Sequence, residues 1–486
     1  MVEIKEGLHL CASLPVTFLL SFKVIFHLEH RFNKNMRTKI GPNDVVTVKG
    51  KYLVKKNGKR FIMKGIAFPV PINPNEYNEQ GWIAVLHQFH DLGLKYNTIR
   101  LYRTDPNIDY SGFFNEAANL GIYVIVPLTG AEGSGVLDRN KVAPNCYNPW
   151  LFGYGVDSLE NFMRFPNILA GVIGNEVINT LEAWHSAPCL KAYGRDLKNY
   201  MADQNYDRTP LPLVYAAQNA AFNAAVSVNH GLRVTHEYLT CTREGSAIDN
   251  IGAIDLFGVN VESWCSSKDT FDETEKGTEG TYHSLWNDTH NATLPLIMTE
   301  MGCSHIDYNK DNGLSKNGTR DWIQVPVVLG KMSDTWSGFC AYAYNGNPQF
   351  DMFDKGTWDG INPNAPNMDF YNFKFQLDEA EHLPNSKVVI QPLQVAPRRS
   401  CDIVEKELRD IYRVDIRSSE AVFEYQRVKS SNDVVSNLQQ KFHLLILACV
   451  IVVLGGLTAY IFRRRTKLRK LMQGYRPIEN TVENAS

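Results

Sequence analysis

The chain lacks the marks of several function classes. No Gly-x-Gly-x-x-Gly run follows an apolar, strand-like segment, so a dinucleotide-binding sheet would be without its phosphate loop. No Cys-x-x-Cys pair and no clustered histidines support a metal site, and neither metal nor cofactor is expected. With 34 glycines and 22 prolines in 486 residues, a collagen-like or low-complexity chain is excluded. A hydrophobic share of 44% excludes wholesale disorder. There is also no excess of basic charge, the formal net charge being −2, so a nucleic-acid partner is not expected.

The near-neutral total hides an asymmetry. From Phe442 onward there are seven Lys/Arg against two Asp/Glu, whereas the preceding residues hold 43 basic and 50 acidic side chains, a balance of −7. The basic residues adjoin residues 442–462 (FHLLILACVIVVLGGLTAYIF), which contain no Asp, Glu, Lys or Arg. At about 1.5 Å rise per residue, such a helix spans a hydrocarbon core of about 30 Å. Six of the next eight residues are basic, which predicts a cytoplasmic C-terminal side and a membrane as partner. A buried core helix, the alternative, is rarely so uniformly apolar. A glycolipid-anchor signal would end in its apolar stretch, whereas 24 residues follow here. Near the other end, residues 8–28 are apolar, broken by Pro15 and Lys23, and read as a targeting segment.

The expected organisation is therefore a targeting segment over 1–40, a main domain over 45–400, a linker over 401–441, a transmembrane helix over 442–462 and a basic tail over 463–486. This places the main domain outside a cell membrane. Three sequons, at Asn287, Asn291 and Asn317, fit that compartment as glycosylation sites. Seven of the nine cysteines lie between the two apolar segments. In an oxidising compartment they default to disulfides, with at least one left over.

Within the main domain, apolar and β-branched runs recur at 61–68, 97–103, 122–128, 168–177, 211–218, 254–261, 295–302 and 338–345. Helix-like stretches such as 81–94 and 192–203 lie between them. Near-continuous apolar strands alternating with helices indicate a parallel sheet. Eight such units over about 300 residues predict an α/β fold, a closed (β/α)8 TIM barrel, with an open doubly wound sheet as the alternative.

Catalytic groups of such a barrel stand at the C-terminal ends of its strands. Those ends carry Arg100 and Tyr102 on strand two, Asn175 and Glu176 on strand four, Asn260 and Glu262 on strand six, Glu300 on strand seven, and Tyr342 and Tyr344 on strand eight. Cleaving a glycosidic bond needs one carboxyl to protonate the leaving oxygen and a second carboxylate to attack or stabilise the oxocarbenium-like centre. Glu176 and Glu300 face each other across the mouth and suit those roles. Asn175 is placed to meet a sugar 2-hydroxyl, and Arg100 and Asn260 are expected as further substrate-binding residues. Tyr102, Trp264, Trp336, Tyr342 and Tyr344 are candidates to stack on pyranose faces, against the alternative that each packs in the core.

GNEV at 174–177, NTIRLYRTDP at 97–106, FGVNVESWC at 257–265, TEMGC at 299–303 and WSGFCAYAY at 336–344 resemble glycoside hydrolase family 72. These are the fungal cell-surface β-1,3-glucanosyltransferases of the Gas, Gel and Phr type, and the resemblance covers about residues 45–405. It implies a barrel that cleaves a β-1,3-glucan internally and passes the new reducing end to the non-reducing end of a second glucan chain. It implies Glu176 as acid/base, Glu300 as nucleophile, and Asn175 and Tyr102 as substrate contacts. It also implies the disulfides Cys241–Cys401 and Cys265–Cys303. The chain departs from the family pattern at Pro69, Pro127 and Glu262, where Gln, Asp and Tyr are usual. The family's early disulfide is also missing, with Ser111-Gly112 in place of one cysteine. Cys146 and Cys189 are then candidates to pair, leaving Cys340 free and buried. The alternatives to transfer are an endo-β-1,3-glucanase and a catalytically weak glucan-binding surface receptor.

Overall fold

The computed structural model describes residues 40–416 except 42–43, 69–76, 131–134, 205–209, 220–227, 267, 275–276, 278, 306–318, 355–361, 382 and 384–396. Beyond that range it describes only Gly455 and Thr458. Residues 40–416 belong to one compact unit. The expectations for residues 1–39 and 463–486, and all but Gly455 and Thr458 of 442–462, lie outside the described residues. Among the described residues, no helix is long and apolar enough to cross a membrane.

A short antiparallel hairpin comes first, β1 (Val46–Lys49) and β2 (Tyr52–Lys55), turning through Gly50 at φ +58°. Eight parallel strands then close a barrel: β3 (Met63–Phe68), β4 (Thr98–Leu101), β5 (Tyr123–Pro127), β6 (Ile168–Asn175), β7 (Leu213–Gln218), β8 (Leu256–Val261), β9 (Leu296–Met301) and β10 (Trp336–Ala341). Each expected strand is present, and β10 pairs with β3 to complete the ring. The strands form where they do because both faces are covered, so nearly every residue from Ile168 to Gly174 is apolar or small and buried. The stretches expected to be helical fold as Glu79–Asp91 and Ala187–Asp203. The first is capped by Asn78, whose Oδ1 accepts from the Gly81 N–H at 3.0 Å.

The hairpin was not foreseen. Its Leu53 and Val46 join Ile40, Phe61, Met63, Tyr123 and Ile125 in the core cluster. Fully burying a side chain of this size contributes about 1.5–3 kcal/mol.

Two ladder irregularities matter at the mouth. Between β8 and β9 the pairing steps from Val259 with Met298 to Asn260 with Glu300, so Thr299 is the extra residue. Between β6 and β7 it steps from Val172 with Val214 to Gly174 with Tyr215. Bulges of this kind re-aim the side chains that follow them, and here they precede Glu300 and Glu176. Gly258 permits the first: a Cβ there would lie 2.4 Å from Thr299 Cγ2.

Disulfides join Cys146 to Cys189, Cys241 to Cys401, and Cys265 to Cys303, and Cys340 is a buried free thiol. The segment expected to begin a linker at 401 needs correction. Helix Cys401–Glu407 and the turn Leu408–Tyr412 dock on the barrel, burying Cys401, Val404, Leu408 and Tyr412. Glu407 pairs with Arg399 at 2.9 Å, and Arg243 donates to Glu405 at 2.5 Å. The fully buried Lys191–Asp249 pair, 2.7 Å apart, lies against the Cys241–Cys401 bridge. Glu405 and Glu407 thus have partners in space rather than solvent.

Candidate active site

The C-terminal ends of β4, β6, β8 and β9 bring together Arg100, Tyr102, Asn175, Glu176, Asn260 and Glu300. Glu300 is 6% exposed and sits where β9 ends. Its Oε1 accepts from Arg100 Nη1 at 3.0 Å and from Tyr102 Oη at 2.9 Å. Arg100, itself 1% exposed, also donates through Nη1 to the Thr299 carbonyl at 2.9 Å and through Nη2 to Asn175 Oδ1 at 2.7 Å. Its guanidinium lies 4.2 Å from the Tyr102 ring centroid. One planar cation therefore orients two strand-end residues at once, through separate nitrogens of a rigid fork.

Glu176 is half-buried and lies immediately beyond β6, with φ +50°. A non-glycine residue in the left-handed region costs about 1 kcal/mol or more, and such strain gathers at functional positions. Its N–H donates to the Ala216 carbonyl at 2.8 Å, and its own carbonyl accepts from Arg139 Nη1 at 2.9 Å. Its carboxylate Oε1 accepts from Asn260 Nδ2 at 2.8 Å. Asn260 is fixed in turn by Thr299 Oγ1, which donates to Asn260 Oδ1 at 2.8 Å. An unbroken array thus runs from Glu176 through Asn260 and Thr299 to Arg100 and Glu300. Because donors from Arg100 and Asn260 converge on Asn175 Oδ1, its NH2 group is the side able to meet a sugar hydroxyl.

The two carboxyls are held differently. Burial drives the Glu300 pKa up; Arg100 opposes this, Glu176 adds to the rise, and the Tyr102 hydrogen bond opposes it again, leaving a net upward shift. Arg100 and Tyr102 are the groups that favour the ionised form of Glu300 despite its burial. Tyr102 remains a donor because burial carries its own pKa far above the usual phenol value.

Not every residue foreseen for the site is there. Trp336 starts β10 at the opposite end of the barrel, is fully buried, and donates from Nε1 to Thr289 Oγ1 at 3.2 Å. It cannot touch a sugar at the mouth, because one end of a strand cannot reach the other. Tyr344 is fully buried among Phe68, Phe89 and Phe353, and Trp264 packs edge-on against Tyr282. Tyr342 does line the mouth, its ring 6.0 Å from that of Tyr102. Its pKa is pushed up to about 12, chiefly by burial and then by Glu300.

The sequence departures also find places. Glu262 is exposed just past β8, and Pro127 ends β5. Pro69 lies outside the described residues. Cys340 is pushed up to about 12 by burial, so it stays a protonated thiol and offers no nucleophile. Reasoning from sequence missed Thr299 and Arg139. Thr299 adjoins Glu300 and would have come from asking what fixes that strand end, whereas no local signal marks Arg139. Among the described residues, the one group of possible metal ligands contains the bridged pair Cys241 and Cys401, whose sulfurs are already bonded to each other.

The sequence model of the family Glyco_hydro_72, described as glucanosyltransferase, matches residues 37–379. The chain is similar to 1,3-beta-glucanosyltransferase gel2 of Aspergillus fumigatus, 29% identical over 51% of this chain and 45% of that one. It is similar also to 1,3-beta-glucanosyltransferase GAS5 of Saccharomyces cerevisiae, 25% identical over 62% of this chain and 56% of that one. The chain spans about half the length of the curated relatives it matches. Among solved structures, Saccharomyces cerevisiae Gas2p in complex with laminaripentaose superposes with a TM-score of 0.56 at 21% identity, covering 70% of each chain. That likeness supports the barrel fold.

Proposed function

The chain belongs to the glucanosyltransferase family, glycoside hydrolase family 72, and from that membership we propose that it is a retaining β-1,3-glucanosyltransferase. The observation that carries the reading is the array linking Glu176 to Glu300 through Asn260, Thr299 and Arg100. Glu300 attacks the anomeric carbon of a β-1,3-glucan while Glu176 gives its proton to the departing glycosidic oxygen, leaving a glycosyl ester on Glu300. The leaving half-chain departs. Glu176, now a carboxylate, takes the proton from the 3-hydroxyl at the non-reducing end of a second glucan. That oxygen displaces Glu300, and the β linkage is restored. Asn175 and Tyr102 contact the sugar, while Arg100 and Asn260 hold the two carboxyls in place. The relatives named 1,3-beta-glucanosyltransferase support β-1,3-glucan as both donor and acceptor.

Incubation with a reduced laminarioligosaccharide tests this directly. Products longer than the substrate are expected. Shorter products alone would make the protein an endo-β-1,3-glucanase, and neither kind would overturn the reading.

The uncharged run 442–462 with its basic flank supports a single-pass anchor, with the barrel outside and the tail over 463–486 in the cytoplasm. Sequons at the exposed Asn287 and Asn291 agree with that side. Ending the chain at residue 420 should release active protein into the medium, and retention on membranes would refute the anchor.

A further inference from the structure

Trp150 stays in solvent although the fold buries most of its other tryptophans. Its side chain is 74% exposed, whereas Trp82, Trp184, Trp322 and Trp336 are at 1% or less. Leaving so large a ring in water forfeits the stabilisation that burial would bring. Trp150 is the second residue of helix Pro149–Phe162, where the connection from β5 enters the helix. In a (β/α)8 barrel that end of the helix lies at the mouth.

The same connection reaches the centre, since its Arg139 donates to the Glu176 carbonyl at 2.9 Å. It also carries Val142, 57% exposed, and of the eight large exposed hydrophobics among the described residues only Val142 and Trp150 stand here. Its last residues, 143–148, are tied down. Cys146 is bonded to Cys189, the Ala143 N–H donates to the His185 carbonyl at 3.0 Å, and Asn148 caps the helix through the Leu151 N–H at 3.0 Å. A pyranose in β linkage presents a C–H face for an aromatic ring and a rim of hydroxyls for donors such as Arg139.

We propose that Trp150 is an aromatic platform for the glucan chain on the Glu176 side, beyond the scissile bond. Glu176 protonates the leaving half-chain and later deprotonates the acceptor, so the platform serves the leaving and acceptor chains. It rests on the glucanosyltransferase reading and adds a length preference to it: long acceptors reach the ring and short ones stop before it. The ring also binds at small entropic cost, because residues 143–148 before it are already tied down.

The test compares long laminarin with laminaritriose as acceptor for the full chain, wild type, Trp150→Ala and Trp150→Phe. The ratio of kcat/KM for the long over the short acceptor should fall about three- to tenfold in Trp150→Ala, the worth of one aromatic contact. Trp150→Phe should restore most of it. An unchanged ratio, or equal losses on both acceptors, overturns the platform.

Long laminarin is also titrated calorimetrically into Glu300→Gln protein with and without Trp150→Ala, which reads binding without turnover. Weaker binding in the double variant supports the platform, and equal binding refutes it. If the wild type yields no glucan product while Trp150-dependent binding persists, the transferase reading fails and the platform stands.

Discussion

Replacing Tyr102 with Phe should move the acid limb of activity to higher pH. Tyr102 Oη donates to Glu300 Oε1 at 2.9 Å, and that bond favours the ionised carboxylate. A hydrogen bond to a charged group contributes about 1.5–3 kcal/mol, and about 1.4 kcal/mol corresponds to one pKa unit. Losing the bond therefore removes about 1.5–3 kcal/mol of preference for the ionised form and raises the Glu300 pKa further. Arg100 Nη1 keeps its contact with the same oxygen at 3.0 Å, so the lower part of that range is expected.

The sign follows from the chemistry. Burial already lifts Glu300 above the ordinary carboxyl range, and Tyr102 pulls it back. Activity needs the ionised form, so kcat/KM falls as pH drops through this pKa, and in the variant the fall begins at higher pH. The assay is the pH dependence of kcat/KM on a reduced laminarioligosaccharide, compared between wild type and Tyr102→Phe. At pH well above the limb the two should converge, apart from whatever direct sugar contact the hydroxyl makes. A uniform loss at every pH, with an unmoved limb, would refute the reasoning and reduce Tyr102 to a substrate contact.

Glu300→Gln should lower turnover at least about 10³-fold while glucan binding persists, since it removes the attacking oxygen and leaves the mouth intact. Asn260→Ala should lower kcat more than it raises KM, because Asn260 touches Glu176 at 2.8 Å and acts through it; a pure KM effect would contradict that role. Replacing Cys146 and Cys189 with alanine opens a loop of 43 residues and should cost about 2–4 kcal/mol, read as a lower midpoint in denaturant. In folded protein Cys340 should not be labelled by a thiol reagent at neutral pH, as read by mass spectrometry of its own peptide, because it is buried and held protonated; rapid labelling there would show that strand end to be open. Secreted protein should lose mass on enzymatic deglycosylation, and Asn287→Gln with Asn291→Gln should reduce that loss.

Much of the barrel was legible because a strand buried on both faces must be apolar throughout, as β6 is from Ile168 to Gly174. The hairpin β1–β2 was not, since VTVK and YLVK are short and interrupted by lysine, and only packing against Phe61 and Tyr123 makes them core. Residues 401–416 read as a charged linker for a related reason. A pattern of charge along a chain does not reveal that Glu405 meets Arg243 or that Glu407 meets Arg399.

The sequence alone determined that a β/α barrel forms, that Glu176 and Glu300 stand at the ends of strands four and seven, and that an uncharged 21-residue run with a basic flank follows. These are properties of residue type and spacing. Which aromatics line the mouth, and which groups surround Glu300, depended on contacts between residues 39 to 200 apart. Trp336 begins β10 and Tyr342 directly follows its end, yet only Tyr342 reaches the mouth, because position along a strand decides which end of the barrel a side chain serves. Only the closed ring placed Arg100 between Glu300 and Asn175 and turned two separate carboxyls into one site.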